Sequence, residues 1–300
     1  MTMSNPMGHK EFLATLSAED KARLTDTSDA PGLRHLLLHG GLIVLIGGLI
    51  AARVPFWPVL LPAQGVLICF LFTLEHECTH KTPFRSAALN EWVGRVSGFV
   101  ILQPFDWFRY FHLAHHRFTN IPGQDPELDG PKPETLAQWL RHVSGLPFWW
   151  AAVTRLWRLC LGRERAAFLP KSALPRMERE ARIMAGLYAL AGLSLLLTPA
   201  LVWVWLVPAL LGQPFLRLYL LAEHGDCPFV VNMFENTRTT FTNRIVRFLA
   251  WNMPYHAEHH VFPAVPFHRL SDLHRIMQRR LCVTADGYAA FNRDYLARRL

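Results

Sequence analysis

Eight of the fifteen histidines in this 300-residue chain fall into three short motifs: His76-Glu-Cys-Thr-His80, His112-Leu-Ala-His115-His116 and His256-Ala-Glu-His259-His260. Residues three or four apart share one face of a helix, so each motif aims two or three imidazoles at a common point. A neutral imidazole is a metal ligand near pH 7. Aligning eight such rings without a cation would cost desolvation and, on protonation, mutual repulsion. A lone HxxxH pair is common on protein surfaces, but two HxxHH motifs together with one HxxxH predict a metal cluster assembled from three distant stretches.

The second constraint is where the apolar residues lie. The chain is 51% hydrophobic, and much of that content is concentrated in long blocks. Blocks at about 36–53, 56–75, 183–198 and 200–222 approach the roughly 20 residues a helix needs to cross a bilayer. Thr198-Pro199 marks a turn between the last two, so the pattern reads as two membrane hairpins. Of the 31 Lys and Arg, 29 lie before, between or after the hairpins, leaving Arg53 in the opposite connection and Arg217 inside the last block. The positive-inside rule then places both termini and the central segment in the cytoplasm. This topology accounts for the net charge of +8, so no nucleic-acid partner is expected. Five scattered cysteines without a CxxC pair argue against a disulfide framework or a thiolate zinc site.

The expected organisation is an N-terminal cytoplasmic arm (1–34), a membrane domain (35–275) and a basic C-terminal helix or tail (276–300). Within the domain, Trp92 to Phe105 is apolar but too short to span. Leu146 to Leu161 places Trp149, Trp150 and Trp157 among Arg155 and Arg158, a mixture suited to the headgroup zone. The Pro-, Gly- and Asp-rich stretch from Ile121 to Pro133 reads as a connector.

With these residues in place, the sequence resembles the membrane fatty-acid desaturase and hydroxylase superfamily, whose defining feature is three histidine boxes. The resemblance covers about residues 36 to 275. The first box closes the second apolar block, the second follows 36 residues later, and the third lies beyond the second hairpin. It implies an all-α integral membrane fold, with four transmembrane helices in two hairpins and a cytoplasmic helical cap holding a histidine-rich dimetal site. It also implies a ninth ligand, His224 in Leu221-Ala-Glu-His-Gly225, 32 residues before the third box. The metal set is then His76, His80, His112, His115, His116, His224, His256, His259 and His260. Some relatives place an Asn one turn before the ninth histidine to hold a metal-bound water; here that position is Leu220.

Imidazole suits Fe, Zn, Cu or Ni, and nine nitrogens exceed one tetrahedral zinc shell. The resemblance selects two iron ions, with dioxygen as co-substrate and oxidation of an unactivated C–H bond as the activity. Desaturation of a membrane lipid or acyl substrate comes first, and hydroxylation or ketolation of a lipid, carotenoid or other hydrocarbon is the alternative. The chain shows no haem motif, iron–sulfur cysteine set or Gly-rich nucleotide loop, so electrons are expected from an external ferredoxin-like or rubredoxin-like donor and its reductase. Glu75, Glu77, Glu223, Asp226 and Glu258 neighbour ligands in sequence and are available to accept imidazole N–H groups. His9, His35, His39, His142, His268 and His274 read as structural. The main rival is a membrane zinc protease, because His76-Glu77-Cys78-Thr79-His80 satisfies HExxH; it leaves both HxxHH motifs unexplained. A metal transporter would call for more polar residues inside the spans than Gln64, Gln213 and Arg217.

Overall fold

Polar residues open many of the helices. The Ser17, Ser86, Thr135 and Asn243 side chains accept the backbone N–H groups of Asp20, Leu89, Gln138 and Val246, satisfying donors that a first turn leaves unpaired. The architecture that follows is that of a computed structural model describing residues 7–130 and 132–299. Residues 1–6 of the expected arm, Pro131 of the connector and Leu300 of the tail lie outside the described residues.

Two short helices, α1 (His9–Thr15) and α2 (Ala18–Thr25), precede the long α3 (Asp29–Ala51). A second apolar stretch contains α4 (Leu60–Cys69) and α5 (Leu71–His80), then α6 (Ala87–Val100) and α7 (Phe105–Phe118) lead into the connector. Next come α8 (Leu136–Val143), α9 (Leu146–Cys160), α10 (Leu174–Ser194) and α11 (Val207–His224). The C-terminal part holds α12 (Met233–Asn236), α13 (Arg244–Leu249), α14 (His256–Val261), α15 (Leu270–Met277) and α16 (Tyr288–Ala297). Among the described residues, the departure from helix is one parallel pair, β1 (Thr239–Thr240) on β2 (Thr284–Ala285). That pair and the buried Phe291 and Tyr295 of α16 fold residues 276–299 against the rest. The five cysteines are free thiols.

Three helical stretches, Ala18–Ala51, Trp57–His80 and Val202–His224, are long and apolar enough to cross a membrane. Together with exposed Leu37, Val44, Leu190 and Leu197, they form the apolar surface of a membrane protein. The second stretch is interrupted at Phe70, which separates α4 from α5. The predicted third span, 183–198, differs most from the structure. Its helix begins at Leu174 and ends at Ser194, because the charged turns carrying Arg176, Glu178, Arg179, Glu180 and Arg182 continue in register into the apolar half. Of the polar residues in the spans, Gln64 donates to the Val204 carbonyl at 3.2 Å, a carbonyl within the π-helical turn Val202–Leu206 that opens the last stretch. Arg217 lies over the Phe148 ring, 4.7 Å from its centroid.

α4 and α11 meet at glycines. A Cβ added to Gly212 would stand 2.0 Å from the Gly65 carbonyl oxygen, and one added to Gly65 would stand 2.1 Å from that of Pro208. Small residues let backbones approach in this way between membrane helices. Gly212→Ala is therefore expected to cost about 1–3 kcal/mol of stability, read as a lower thermal midpoint of the detergent-solubilised protein. An unchanged midpoint would contradict the close contact.

Candidate metal centre

α5 continues the second apolar stretch and carries His76 and His80 one turn apart, before the left-handed Lys81 ends it. α7 starts after Pro104 and places His112, His115 and His116 on its inner side. His224 is the last residue of α11, and α14 supplies His256, His259 and His260.

All nine predicted residues come together. One group is His76, His80, His112, His116 and His259; a second is His115, His224 and His260; within each, the ligand nitrogens lie within 4.8 Å of one another. His256 joins the second group, its Nε2 being 3.0 Å from that of His224 and 3.1 Å from that of His260. Pairs of Nε2 atoms also stand 2.8 Å apart in His80 and His112, and 3.2 Å apart in His116 and His259. The His116 and His260 rings stack across the two groups, 4.0 Å apart and 4° from parallel.

The opposite ring nitrogens explain why the Nε2 atoms face inward. His115 Nδ1 donates to Asp125 at 3.0 Å, and His224 Nδ1 donates to the Asn236 carbonyl at 3.1 Å. His260 Nδ1 lies 3.2 Å from the Thr119 hydroxyl, His256 Nδ1 lies 3.4 Å from Glu223, and His259 Nδ1 lies 3.6 Å from Glu77. With the Nδ1 hydrogens of His115 and His224 committed, their Nε2 atoms face each other 3.2 Å apart, a place for either a proton or a metal ion. Facing lone pairs repel unless a cation stands between them. Imidazole nitrogens on neighbouring corners of a shell about 2.1 Å from an ion are about 3 Å apart, so the donor set fits metal ions. Buried His76 agrees, since neither of its ring nitrogens has a protein partner.

Burial, reinforced by neighbouring imidazoles, holds His112, His116, His256, His259 and His260 well below the ordinary 6.5. For His115 burial acts in the same direction, but Glu127 and Asp125 outweigh it and raise the value. In the metal-free protein this ring attracts the proton whose place a metal would take. Burial would raise Asp125, but the hydrogen bond from His115 and two backbone N–H donors hold it low.

Sequence reading missed Asp125, Asn236 and Thr119 as ring partners. Asp125 stood in the connector, where its own turn-capping role, accepting the N–H groups of Asn120 and Glu127, gave no sign of a histidine 10 residues earlier. Of the five acids flagged by adjacency, Glu77 and Glu223 face box-three rings. Glu258 instead accepts from the Thr239 hydroxyl at 2.6 Å and pairs with His274. Glu75 accepts from Gln103, and Asp226 pairs with Arg298 and Arg299. His39 is structural as expected: its Nε2 donates to the Leu67 carbonyl, and its Nδ1 accepts from Trp251.

A predominantly helical chain with three stretches long and apolar enough to cross a membrane and nine histidines on two adjacent foci has the donor set to hold metal ions at a membrane protein's centre. The sequence profile of the fatty acid desaturase family matches residues 55–291, and the chain belongs to that family, which makes it an oxidoreductase. It is 23% identical over 259 residues to an sn-1 oleoyl-lipid 12-desaturase of Arthrospira platensis, covering 76% of this chain and 71% of that protein. It is 26% identical to an sn-1 acyl-lipid omega-3 desaturase (ferredoxin) of a Synechocystis strain, over 72% of this chain and 65% of the relative. It is also 26% identical to an endoplasmic-reticulum omega-3 fatty acid desaturase of Vigna radiata, over 72% and 63%. The matches to the last two thus span a little under two thirds of those relatives' lengths.

Two outcomes follow. Asp125→Asn removes the charge behind His115 and should lower metal affinity about 10–100-fold in chelator competition; unchanged affinity would contradict the clamp. In the metal-free protein, the five lowered histidines bind fewer protons folded than unfolded. Each therefore withdraws stability as pH falls below 6.5, by about 1.4 kcal/mol per pH unit, whereas raised His115 contributes stability that is complete below 6.5 and is lost as pH rises through its folded value. Thermal midpoints should drop steeply below about pH 6.5, and a midpoint unchanged between about pH 7 and 5 would contradict the burial of these rings.

Proposed function

We propose that the chain is a membrane acyl-lipid desaturase in which the nine histidines hold two iron ions. It would remove one hydrogen from each of two adjacent carbons of an acyl chain. Dioxygen would leave as two waters, made with those two hydrogens, two electrons from an external donor and two protons from solvent. The observation that carries this reading is the convergence of nine imidazoles from four helices on two touching foci. When bound, the iron pair would supply the activation of dioxygen that lets an unactivated C–H bond be broken.

The chain's own residues have separate tasks. Asp125, Glu223, Glu77, Thr119 and the Asn236 carbonyl fix ring orientation, and burial keeps the imidazoles neutral as ligands. Glu77 favours this reading over a zinc protease. Its Oε2 accepts from the Thr82 hydroxyl at 3.0 Å and the Phe267 N–H at 3.1 Å, so it braces box three from behind instead of facing an open ligand position as a general base. An apolar cavity of about 430 Å3, lined by residues including Val100, Leu102, Trp149, Tyr188, Trp205 and Leu210, suits the hydrocarbon tail of a lipid.

The topology belongs to the same proposal. The apolar half of α10 pairs with Val202–His224 as the second hairpin, so four helices span. The cap, both termini and the site face the cytoplasm, where 29 of the 31 basic side chains would lie. The relatives' names, two of which specify acyl-lipid or oleoyl-lipid substrates and one a ferredoxin, support a lipid-borne acyl chain and a ferredoxin-type donor.

Expression in a host whose lipids carry oleoyl chains, followed by lipid mass spectrometry, tests the assignment. A new double bond should appear under air with a ferredoxin system, and His259→Ala should abolish it while membrane levels persist. A hydroxylated or keto product would contradict desaturation, and unaffected product in the variant would remove box three from the site.

A further inference from the structure

A second cavity, of about 330 Å3, lies between α1, which contributes His9, Lys10 and Leu13, and the metal centre. Its wall includes His116 from the first imidazole group and His260 from the second, the stacked pair that joins the two. His116 is half-buried, whereas seven of the other ligands are buried. α1 is held at this rim by its first residue. His9 N–H donates to Asn232 Oδ1 at 3.2 Å, and His9 Nδ1 accepts from the Met233 N–H at 3.3 Å.

The rim is basic. Lys10 and Arg117 line the cavity with exposed side chains. Exposed Arg280 lies 5.6 Å from the centroid of the Phe12 ring of α1. None of the three makes an ion pair among the described residues. The nearby acids Glu11 and Glu235 hydrogen-bond to the Gly8 N–H and the Asn232 amide and keep their charge, so the three cations leave the rim a net positive excess. Free cations beside a half-buried ligand edge make a surface complementary to an acidic protein that must deliver electrons there, since complementary charge steers encounter and fixes register.

We propose that this α1 rim, centred on Lys10 and Arg117 with Arg280 beside them, is the docking surface for an acidic one-electron carrier protein, which hands electrons to the centre through the His116–His260 stack. The inference rests on the desaturase reading and adds to it where, and by what charge, the donor binds.

The test uses the full-length, iron-loaded protein in liposomes, with reduced [2Fe–2S] ferredoxin as donor and, in parallel, dithionite, which has no docking face. Lys10→Glu and Arg117→Glu should each raise the KM for ferredoxin roughly tenfold, leaving the dithionite-driven rate unchanged. The wild-type KM should climb as salt rises from about 50 to about 200 mM, as the screening length shortens. Should a charge reversal fail to accumulate, Lys10→Gln should move the KM in the same direction by a smaller factor. An unchanged ferredoxin KM, or equal losses with ferredoxin and dithionite, would overturn the proposal; the second result would make the cavity a route for small molecules instead. If wild-type protein desaturates with dithionite while rim charges leave ferredoxin unaffected, only the docking inference falls. If no reductant supports turnover, the desaturase reading fails and takes this inference with it.

Discussion

Nine imidazoles can share a small buried volume only if they are neutral, correctly turned and relieved of the repulsion between their lone pairs. Burial and crowding meet the first condition by disfavouring protonation. Acceptors behind the rings meet the second, each tying down an Nδ1 so that Nε2 turns inward: Asp125 for His115 and the Asn236 carbonyl for His224. Only a cation meets the third, and the Nε2 separations of 2.8–3.2 Å match those between neighbouring ligands of one.

The helices are arranged around that requirement. In α5, α7, α11 and α14 alike, histidines occupy the last turn, so four helix C-termini meet at the centre. The C-terminal end of a helix carries a partial negative charge that favours a nearby cation. The glycine contact between α4 and α11 fixes one helix against the other, which brings α5 and the end of α11 to a common level. The short α14 is braced separately: Glu258 binds Thr239, and Glu77 accepts the Phe267 N–H just beyond the third box. A change in any of these supports would act on the centre through ring orientation and position.

What could be read in the sequence follows the range of each interaction. The three boxes were legible because their spacing of three and four residues is a local property of helices. His224 lacks such a partner in sequence and rested on family resemblance alone. The apolar stretches ending at Ala51, His80 and His224 were legible as blocks. The start of α10 was not, since its charged turns and its lipid-facing turns form one continuous helix. Adjacency could not rank the flanking acids: Glu75, one residue from His76 on α5 and so turned about 100° away, meets Gln103, and Asp226, in the turn beyond α11, pairs with C-terminal arginines. Asp125, Asn236 and Thr119 were missed for the opposite reason. They reach the rings only after separate segments have packed together, as when Thr119 meets His260, 141 residues away.

Iron analysis combined with X-ray absorption at the iron edge, on protein purified from iron-replete cells, decides whether the nine rings enclose a metal pair. About two irons per chain are expected, each in a shell dominated by imidazole nitrogen. A single tightly held zinc, or iron bound mainly by oxygen and indifferent to loss of His259, would contradict it.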